Sequence, residues 1–376
     1  MTPKISRYLA SERPETPCLV VDLDQVESNY ERLRRALPSA QIYYAVKANP
    51  AAPVLERLTG LGSHFDAASI FEVESCLEAG ADAARLSFGN TIKKAAHIAR
   101  AHALGVDLFA FDAEEELIKL AENAPGARVY CRLLVENKGA DWPLSRKFGC
   151  AADMAKDLLL KARDLGLVAH GVSFHVGSQQ TDPDQWQAAI ADAAMVFTDL
   201  REQGVDLRML NLGGGFPVRY RRDVPSVDEF AEAIMSAMHA HFGNAMPDMI
   251  IEPGRSIIAD AGVLETEVVL VSRKTHDDKT RWVYLDVGLF GGLAECMGEA
   301  IQYDFVSDRD GDPTGPVHLA GPTCDGADIL YEKADYRMPL SLKAGDKLRI
   351  ESAGAYTSTY ASVGFNGFPP PTEVYL

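Results

Sequence analysis

The chain is expected to fold as a (β/α)8 barrel followed by a second, all-β domain of sandwich or barrel-like form. Short apolar, β-rich runs recur along it, and stretches apolar at helical spacing separate them. Eight such units can be counted before the texture changes near residue 258, where valine, threonine and glycine replace helical periodicity. Strands alternating with helices make a parallel sheet, and eight of them favour a closed barrel over an open doubly wound sheet.

In order, the expected barrel strands are residues 41–48, 64–69, 86–90, 108–112, 128–135, 169–177, 209–216 and 249–255. Between the second and third, Ile70, Val73 and Leu77 recur at helical spacing and Gly80 closes the segment. The barrel is assigned to residues 22–258. Residues 1–21 and 259–376 are assigned to the β-rich domain, with strands over 264–271, 281–286 and 347–352. The run 16–21 precedes the barrel and is a candidate extra strand for it.

With 376 residues, 47% hydrophobic and 24% charged, the composition is that of a globular protein with sizeable cores. A net charge of −17 argues against nucleic acid or an anionic membrane as partner, since both select basic surfaces. It would attract a cationic substrate, although solubility alone accounts for such a balance. The first residues, Met1 to Arg7, lack the apolar core of a signal peptide, and no run of about 18 apolar residues occurs, so a cytoplasmic location is expected. Cys18, Cys76, Cys131, Cys150, Cys296 and Cys324 lie far apart with no C-x-x-C pair, so neither a metal site nor a disulfide framework is expected.

In a barrel, working residues sit at the carboxyl ends of the strands. There the chain places Lys47, Asp66, Arg132, His175 with Ser178, the turn Gly213-Gly214-Gly215, and Glu252 with Gly254 and Arg255. Lys47 ends an apolar run expected to deliver it into a buried site; taken alone it is a snorkelling surface side chain, a salt-bridge partner, or an amine that binds a carbonyl carbon. Three glycines remove the Cβ atoms that would keep an anion from backbone N–H groups, so the turn is either a phosphate cradle or a strand-to-loop hinge. Arg255 could assist the same phosphate. Glu252 would be a costly buried carboxylate unless it faces a cation or a protonated ring nitrogen. Amine, phosphate cradle and carboxylate are the fittings that pyridoxal phosphate requires. His175 is either a hydrogen-bonded strand histidine or a ring lying flat against that cofactor.

At this point the chain resembles the fold-type III pyridoxal-phosphate decarboxylases, and among them the ornithine and lysine decarboxylases. The likeness runs from Tyr44-Ala45-Val46-Lys47-Ala48-Asn49 to Gly364-Phe365-Asn366-Gly367-Phe368. Its most specific piece is Gly321-Pro322-Thr323-Cys324-Asp325-Gly326-Ala327-Asp328. The resemblance implies that Lys47 is the Schiff-base lysine, His175 the stacking residue and Glu252 the partner of the pyridine nitrogen. It implies that Ser178, Gly215, Arg255 and Tyr356 hold the phosphate, with Asp66 and Arg132 beneath the cofactor. Cys324 would return a proton to Cα, and Asp325 with Asp286 would bind a distal ammonium. Read without the family, Cys324 is an inert thiol and Asp325 a turn residue.

The resemblance further implies a homodimer in which the β-domain of one subunit completes the barrel site of the other. Decarboxylation of a cationic amino acid is the expected activity, ornithine to putrescine first and lysine to cadaverine as the alternative. The segment 141–149 and the stretch 328–333 resemble bacterial enzymes of this kind, some of which accept both substrates. Diaminopimelate decarboxylation is less favoured, because that branch usually carries Cys-Glu-Ser where Cys324-Asp325-Gly326 stands here. A racemase would want an arginine where Glu252 stands. A non-catalytic regulatory homologue would be expected to have lost Lys47, Cys324 or the phosphate residues, and none is lost.

Overall fold

Each of the eight expected runs contributes one strand, and the strands close into a parallel barrel. The computed structural model describes residues 1–135, 139–142 and 147–376; residues 143–146 of the segment 141–149 lie outside the described residues. The barrel strands are β1 (Ala40–Ala45), β2 (His64–Ala67), β3 (Leu86–Phe88), β4 (Leu108–Phe111), β5 (Arg128–Arg132), β6 (Val168–Ser173), β7 (Met209–Asn211) and β8 (Asp248–Ile251). The circle closes where β8 pairs with β1, Met249 opposite Ala40 and Ile251 opposite Ile42.

Strands covered on both faces read as continuous apolar runs, and β4 is buried at all four positions. Tyr43, Leu108, Ala110, Tyr130, Met209 and Ile250, drawn from five strands, pack into one cluster that fills the barrel. The hydroxyls of Tyr130 and Ser87 meet there at 2.8 Å, so neither is left unsatisfied.

Several strands stop short of their expected ends. The first expected run reaches residue 48, but β1 ends at Ala45 and Lys47 lies in a single 3-10 turn, Val46–Ala48. The run to 177 ends at Ser173, and the run to 255 ends at Ile251. Pairing sets these limits: Ala45 pairs with Asp66, and Ser173 with both Arg132 and Asn211, as the final rows of their ladders. Past those rows the backbone has no ladder partner and turns, which is what frees the next residues to line a rim.

The helix after β2, Ile70–Glu78, starts as its sequence suggests. Ser69 accepts from the N–H of Glu72, and the Glu72 carboxylate accepts from the N–H of Ala68 at 2.6 Å. Such reciprocal capping is worth about 1 kcal/mol.

The exits of β3 and β4 are tied together by a buried lysine. Lys93 donates to the carbonyls of Asn90 (2.8 Å) and Ala110 (2.6 Å) and pairs with Glu116 at 2.9 Å, while Lys119 reaches the other Glu116 oxygen. The Lys93 side chain is wholly buried.

The chain divides into two compact units, residues 27–217 with 224–256, and residues 1–26 with 218–223 and 257–376. The second is built on an eight-stranded, mostly antiparallel sheet. Its long strand Gly262–Ser272 pairs first with Lys347–Ile350 and then, past an irregularity between Val268 and Leu270, with Arg281–Leu285. The strand Cys18–Val21 does not extend the barrel as one expectation had it. It joins this sheet, antiparallel to Gly262–Ser272 and parallel to Thr372–Tyr375. A closed barrel has no free edge to offer. A helix, Pro3–Glu12, capped by Thr2, lays Ile5 and Leu9 on Cys18, Val20 and Val263. Among the described residues, no helix is long and apolar enough to cross a membrane.

Burial pulls the Lys93 ammonium down to about 8, against the opposing pull of Glu116. Lys93→Met should cost about 3 kcal/mol in urea unfolding, because Glu116 loses a buried partner. The unfolded chain binds the extra proton between about 8 and the ordinary lysine value, so the contribution of Lys93 rises with pH across that window and is flat below it. The stability gap between wild type and variant should therefore be wider near about pH 10 than near about pH 7.

Candidate active site

Six adjacent strand ends carry the candidate residues of the barrel. Around the rim they run Arg132 (β5), His175 and Ser178 (after β6), Gly213-Gly214-Gly215 (after β7), Glu252, Gly254 and Arg255 (after β8), Lys47 (after β1) and Asp66 (β2). The strands β3 and β4, where Lys93 is buried, complete the circle without a candidate. Amine and acid come from neighbouring strands, and the N–H of Ala45 donates to the carbonyl of Pro253 at 3.0 Å, tying the two exits together.

Lys47 is exposed, which agrees with the snorkelling alternative and not with the buried delivery its apolar run suggested. It has already left the ladder in its 3-10 turn, so its long side chain reaches solvent. Its charge still acts inward: it opposes the upward shifts of the Asp66 and Glu72 carboxyls and helps push His175 down.

The glycine turn is packed from three sides. A Cβ on Gly213 would come within 2.3 Å of the Phe174 carbonyl oxygen, one on Gly214 within 2.4 Å of that of Glu252, and one on Gly215 within 2.3 Å of that of Gly177. Gly213 and Gly215 also have positive φ, at 68° and 98°. Arg255, 3% exposed, donates to the Ser178 hydroxyl at 3.1 Å. Glu252 is half-buried and accepts from the Asn211 side-chain amide, whose oxygen in turn accepts from the Gly213 N–H at 2.9 Å.

His175 is half-buried, and its Nδ1 accepts from the Gly177 N–H at 3.0 Å. Burial, then the charges of Arg132 and Lys47, hold its pKa well below the ordinary imidazole value. The ring is therefore neutral at physiological pH, with its proton on Nε2. Asp66 is 5% exposed and its Oδ1 has no hydrogen-bond partner. Burial and the Glu252 carboxylate raise its pKa well above the carboxylate range, against Lys47 and Arg132. It packs onto Gly89, where a Cβ would lie 1.8 Å from Oδ1. The guanidinium of Arg132 lies 5.1 Å from the Phe148 ring centroid; burial lowers its pKa while Glu252, Asp112 and Asp66 support its charge.

The remaining candidates lie in the β-rich unit. Asp286 is half-buried, accepts from the Thr266 hydroxyl and the Glu267 N–H, and borders a small cleft with Phe290, Thr323 and Phe365. Cys324 and Asp325 are exposed in the turn after strand Thr314–Ala320. The Cys324 N–H donates to the Asn366 side chain at 2.9 Å, and Asp325 accepts from the Ala327 N–H at 2.8 Å, as a turn aspartate does. Asp328, 3% exposed, anchors the turn by accepting from the Leu289 and Thr323 N–H groups and the Thr323 hydroxyl. Tyr356 adopts φ 56°, uncommon for a bulky residue.

The sequence match that decides the family covers the whole barrel: the pyridoxal-binding domain of the pyridoxal-dependent decarboxylases matches residues 23–259. The chain belongs to the pyridoxal-dependent decarboxylases. It is 39% identical over 360 residues to a lysine/ornithine decarboxylase of Selenomonas ruminantium, covering 95% of this chain and 89% of that one. It is 33% identical to an ornithine decarboxylase of Schizosaccharomyces pombe, covering 95% and 82%. The crystal structure of lysine/ornithine decarboxylase from Vibrio vulnificus, complexed with cadaverine, matches with a TM-score of 0.90 at 31% identity over 100% of this chain and 99% of that one. The cofactor of this family member is pyridoxal phosphate, and the donor set fits it: an amine, a Cβ-free turn, an arginine–serine pair, a carboxylate and a neutral imidazole.

Two residues escaped the sequence reading. Asn211 was visible only as a polar residue between Leu210 and Leu212, and Glu72 only as one acid in an amphipathic helix. A carboxamide at a barrel strand end is the signal that could have found the first.

Packing predicts a sharp contrast between glycines. Gly213→Ala should lower stability by about 1–3 kcal/mol in thermal unfolding, because its Cβ has no room. Gly326→Ala, with nothing within 4 Å of the added carbon, should stay within about 0.5 kcal/mol of wild type.

Proposed function

We propose that the chain removes the α-carboxylate of a basic L-amino acid, with ornithine the first choice and lysine the alternative, as a cytoplasmic homodimer with shared sites. The observation that carries the reading is the six-strand rim, where Lys47, the glycine turn with Arg255 and Ser178, and Glu252 follow one another on adjacent exits.

In this reading the Lys47 amine takes the cofactor's aldehyde. The turn Gly213-Gly214-Gly215, through the N–H groups of Gly214 and Gly215, would hold its phosphate with Ser178, Gly254, Arg255 and Tyr356, while the Gly213 N–H is engaged by Asn211. Glu252 would keep a proton at the ring nitrogen, and His175, held neutral, would pack on the ring without adding charge. Asp66 and Arg132 hold the layer beneath. Bound pyridoxal phosphate supplies the electron sink into which the bond between Cα and the carboxylate breaks. The chain's own residues supply the rest. Cys324, exposed on its anchored turn, delivers a proton to Cα, and Asp325 with Asp286 binds the distal ammonium of the substrate. These last groups lie in the β-rich unit, and in this reading they serve the partner subunit's barrel.

Ornithine and lysine differ by one methylene, which a pocket separates by only about 1–3 kcal/mol. The relatives named lysine/ornithine decarboxylase support a site open to both. Turnover on ornithine, lysine, arginine and diaminopimelate tests the substrate class. Activity on the first two above the others supports the reading, and preference for diaminopimelate would reject it. For the shared site, Lys47→Ala and Cys324→Ala chains, each inactive alone, should regain roughly a quarter of wild-type activity when mixed and reassociated. No recovery in confirmed mixed dimers would reject the sharing.

A further inference from the structure

We propose that Asn211 is the positioning residue of Glu252, a role that rests on reading Glu252 as the partner of the cofactor's ring nitrogen. Asn211 is the last residue of β7, 1% exposed, set between Leu210 and Leu212, which are fully buried. A carboxamide in such a place must find partners for both its ends.

The partners leave it one orientation. The Gly213 N–H can only donate, so the atom it meets at 2.9 Å is the Asn211 oxygen. The amide nitrogen is therefore the end turned to Glu252, where it donates to Oε1. Rotating the amide by half a turn would set donor against donor and acceptor against acceptor. The backbone closes the ring, because the Glu252 N–H donates to the Gly213 carbonyl at 2.8 Å. Side chain and main chain thus join the glycine turn and the acid into one piece, and the missing Cβ of Gly214 lets the Glu252 carbonyl approach that turn. A free glutamate would lose rotamer entropy on ordering, and the Asn211 contact has already ordered this one. The same amide that shapes the phosphate end of the site therefore aims the carboxylate at its other end.

A purely structural Asn211, shaping only the turn, makes a different prediction from one acting through Glu252. The test is the equilibrium affinity of the apo-protein for pyridoxal phosphate, measured by titration in wild type, Asn211→Ala, Asn211→Asp and Glu252→Ala, and in each Asn211 variant combined with Glu252→Ala. Asn211→Asp keeps the shape but offers no donor and sets two carboxyl groups face to face. Each Asn211 substitution alone should weaken binding about tenfold, the loss of one hydrogen bond to a charged group. Asn211→Asp, which still accepts from the Gly213 N–H, should change it less than about twofold once Glu252 is already alanine, whereas Asn211→Ala also loses that acceptor and keeps part of its effect. Thermal midpoints of the apo-proteins check folding, and if Asn211→Ala does not fold, the isosteric Asn211→Asp carries the comparison. A tenfold loss by Asn211→Asp that persists in the Glu252→Ala background would overturn the inference, as would single variants that bind like wild type. A wild-type protein that takes up no pyridoxal phosphate would defeat the functional reading itself, and this inference with it.

Discussion

The ladder between β8 and β1 is the constraint on which the site depends. Met249 and Ile251 pair with Ala40 and Ile42, and this closure turns a row of strands into a ring. In an open sheet the amine after the first strand and the acid after the last would stand at opposite edges. Closed, they become neighbours, and the Ala45-to-Pro253 hydrogen bond holds their exits together. The chemistry is thus a consequence of topology: residues about two hundred positions apart meet because parallel strands in a barrel all end on one rim.

Electrostatics then sorts the groups that the ring collects. Asp66 is buried beside a second carboxylate and is driven toward its neutral form, while Glu252 keeps a donor at its oxygen through Asn211. His175 is held neutral by burial and by the charges of Arg132 and Lys47. Lys47, in contrast, reaches water. Two acids and a histidine with different surroundings can therefore serve different ends within one rim.

Most of the architecture was legible in the sequence because it is written in local patterns. Parallel barrel strands are apolar on both faces, so runs such as Leu108-Phe109-Ala110-Phe111 stand out, and the helix after β2 announces itself through Ile70, Val73, Leu77 and Gly80. Strand ends were less legible. Lys47 and His175 were read as strand residues, yet a strand stops where its neighbours stop pairing, and that information sits in other segments. The same reason hid the placement of Cys18–Val21, whose partners lie more than two hundred residues away. Lys93 and Asn211 look unremarkable as letters, because their meaning comes from carbonyls, amides and carboxylates that only folding brings near. Resemblance to a known family supplied the roles of Cys324 and Asp325, which local chemistry alone reads as a thiol and a turn residue, and their exposed placement on an anchored loop agrees with either reading.

The most direct measurement is chemical trapping at the amine. Incubating the purified protein with pyridoxal phosphate, reducing with borohydride and mapping the modified peptide by mass spectrometry reads which nitrogen holds the aldehyde. The account predicts one pyridoxyl group per chain, on the peptide carrying Lys47. Labelling centred on another lysine, or none at all in a folded protein, would contradict it.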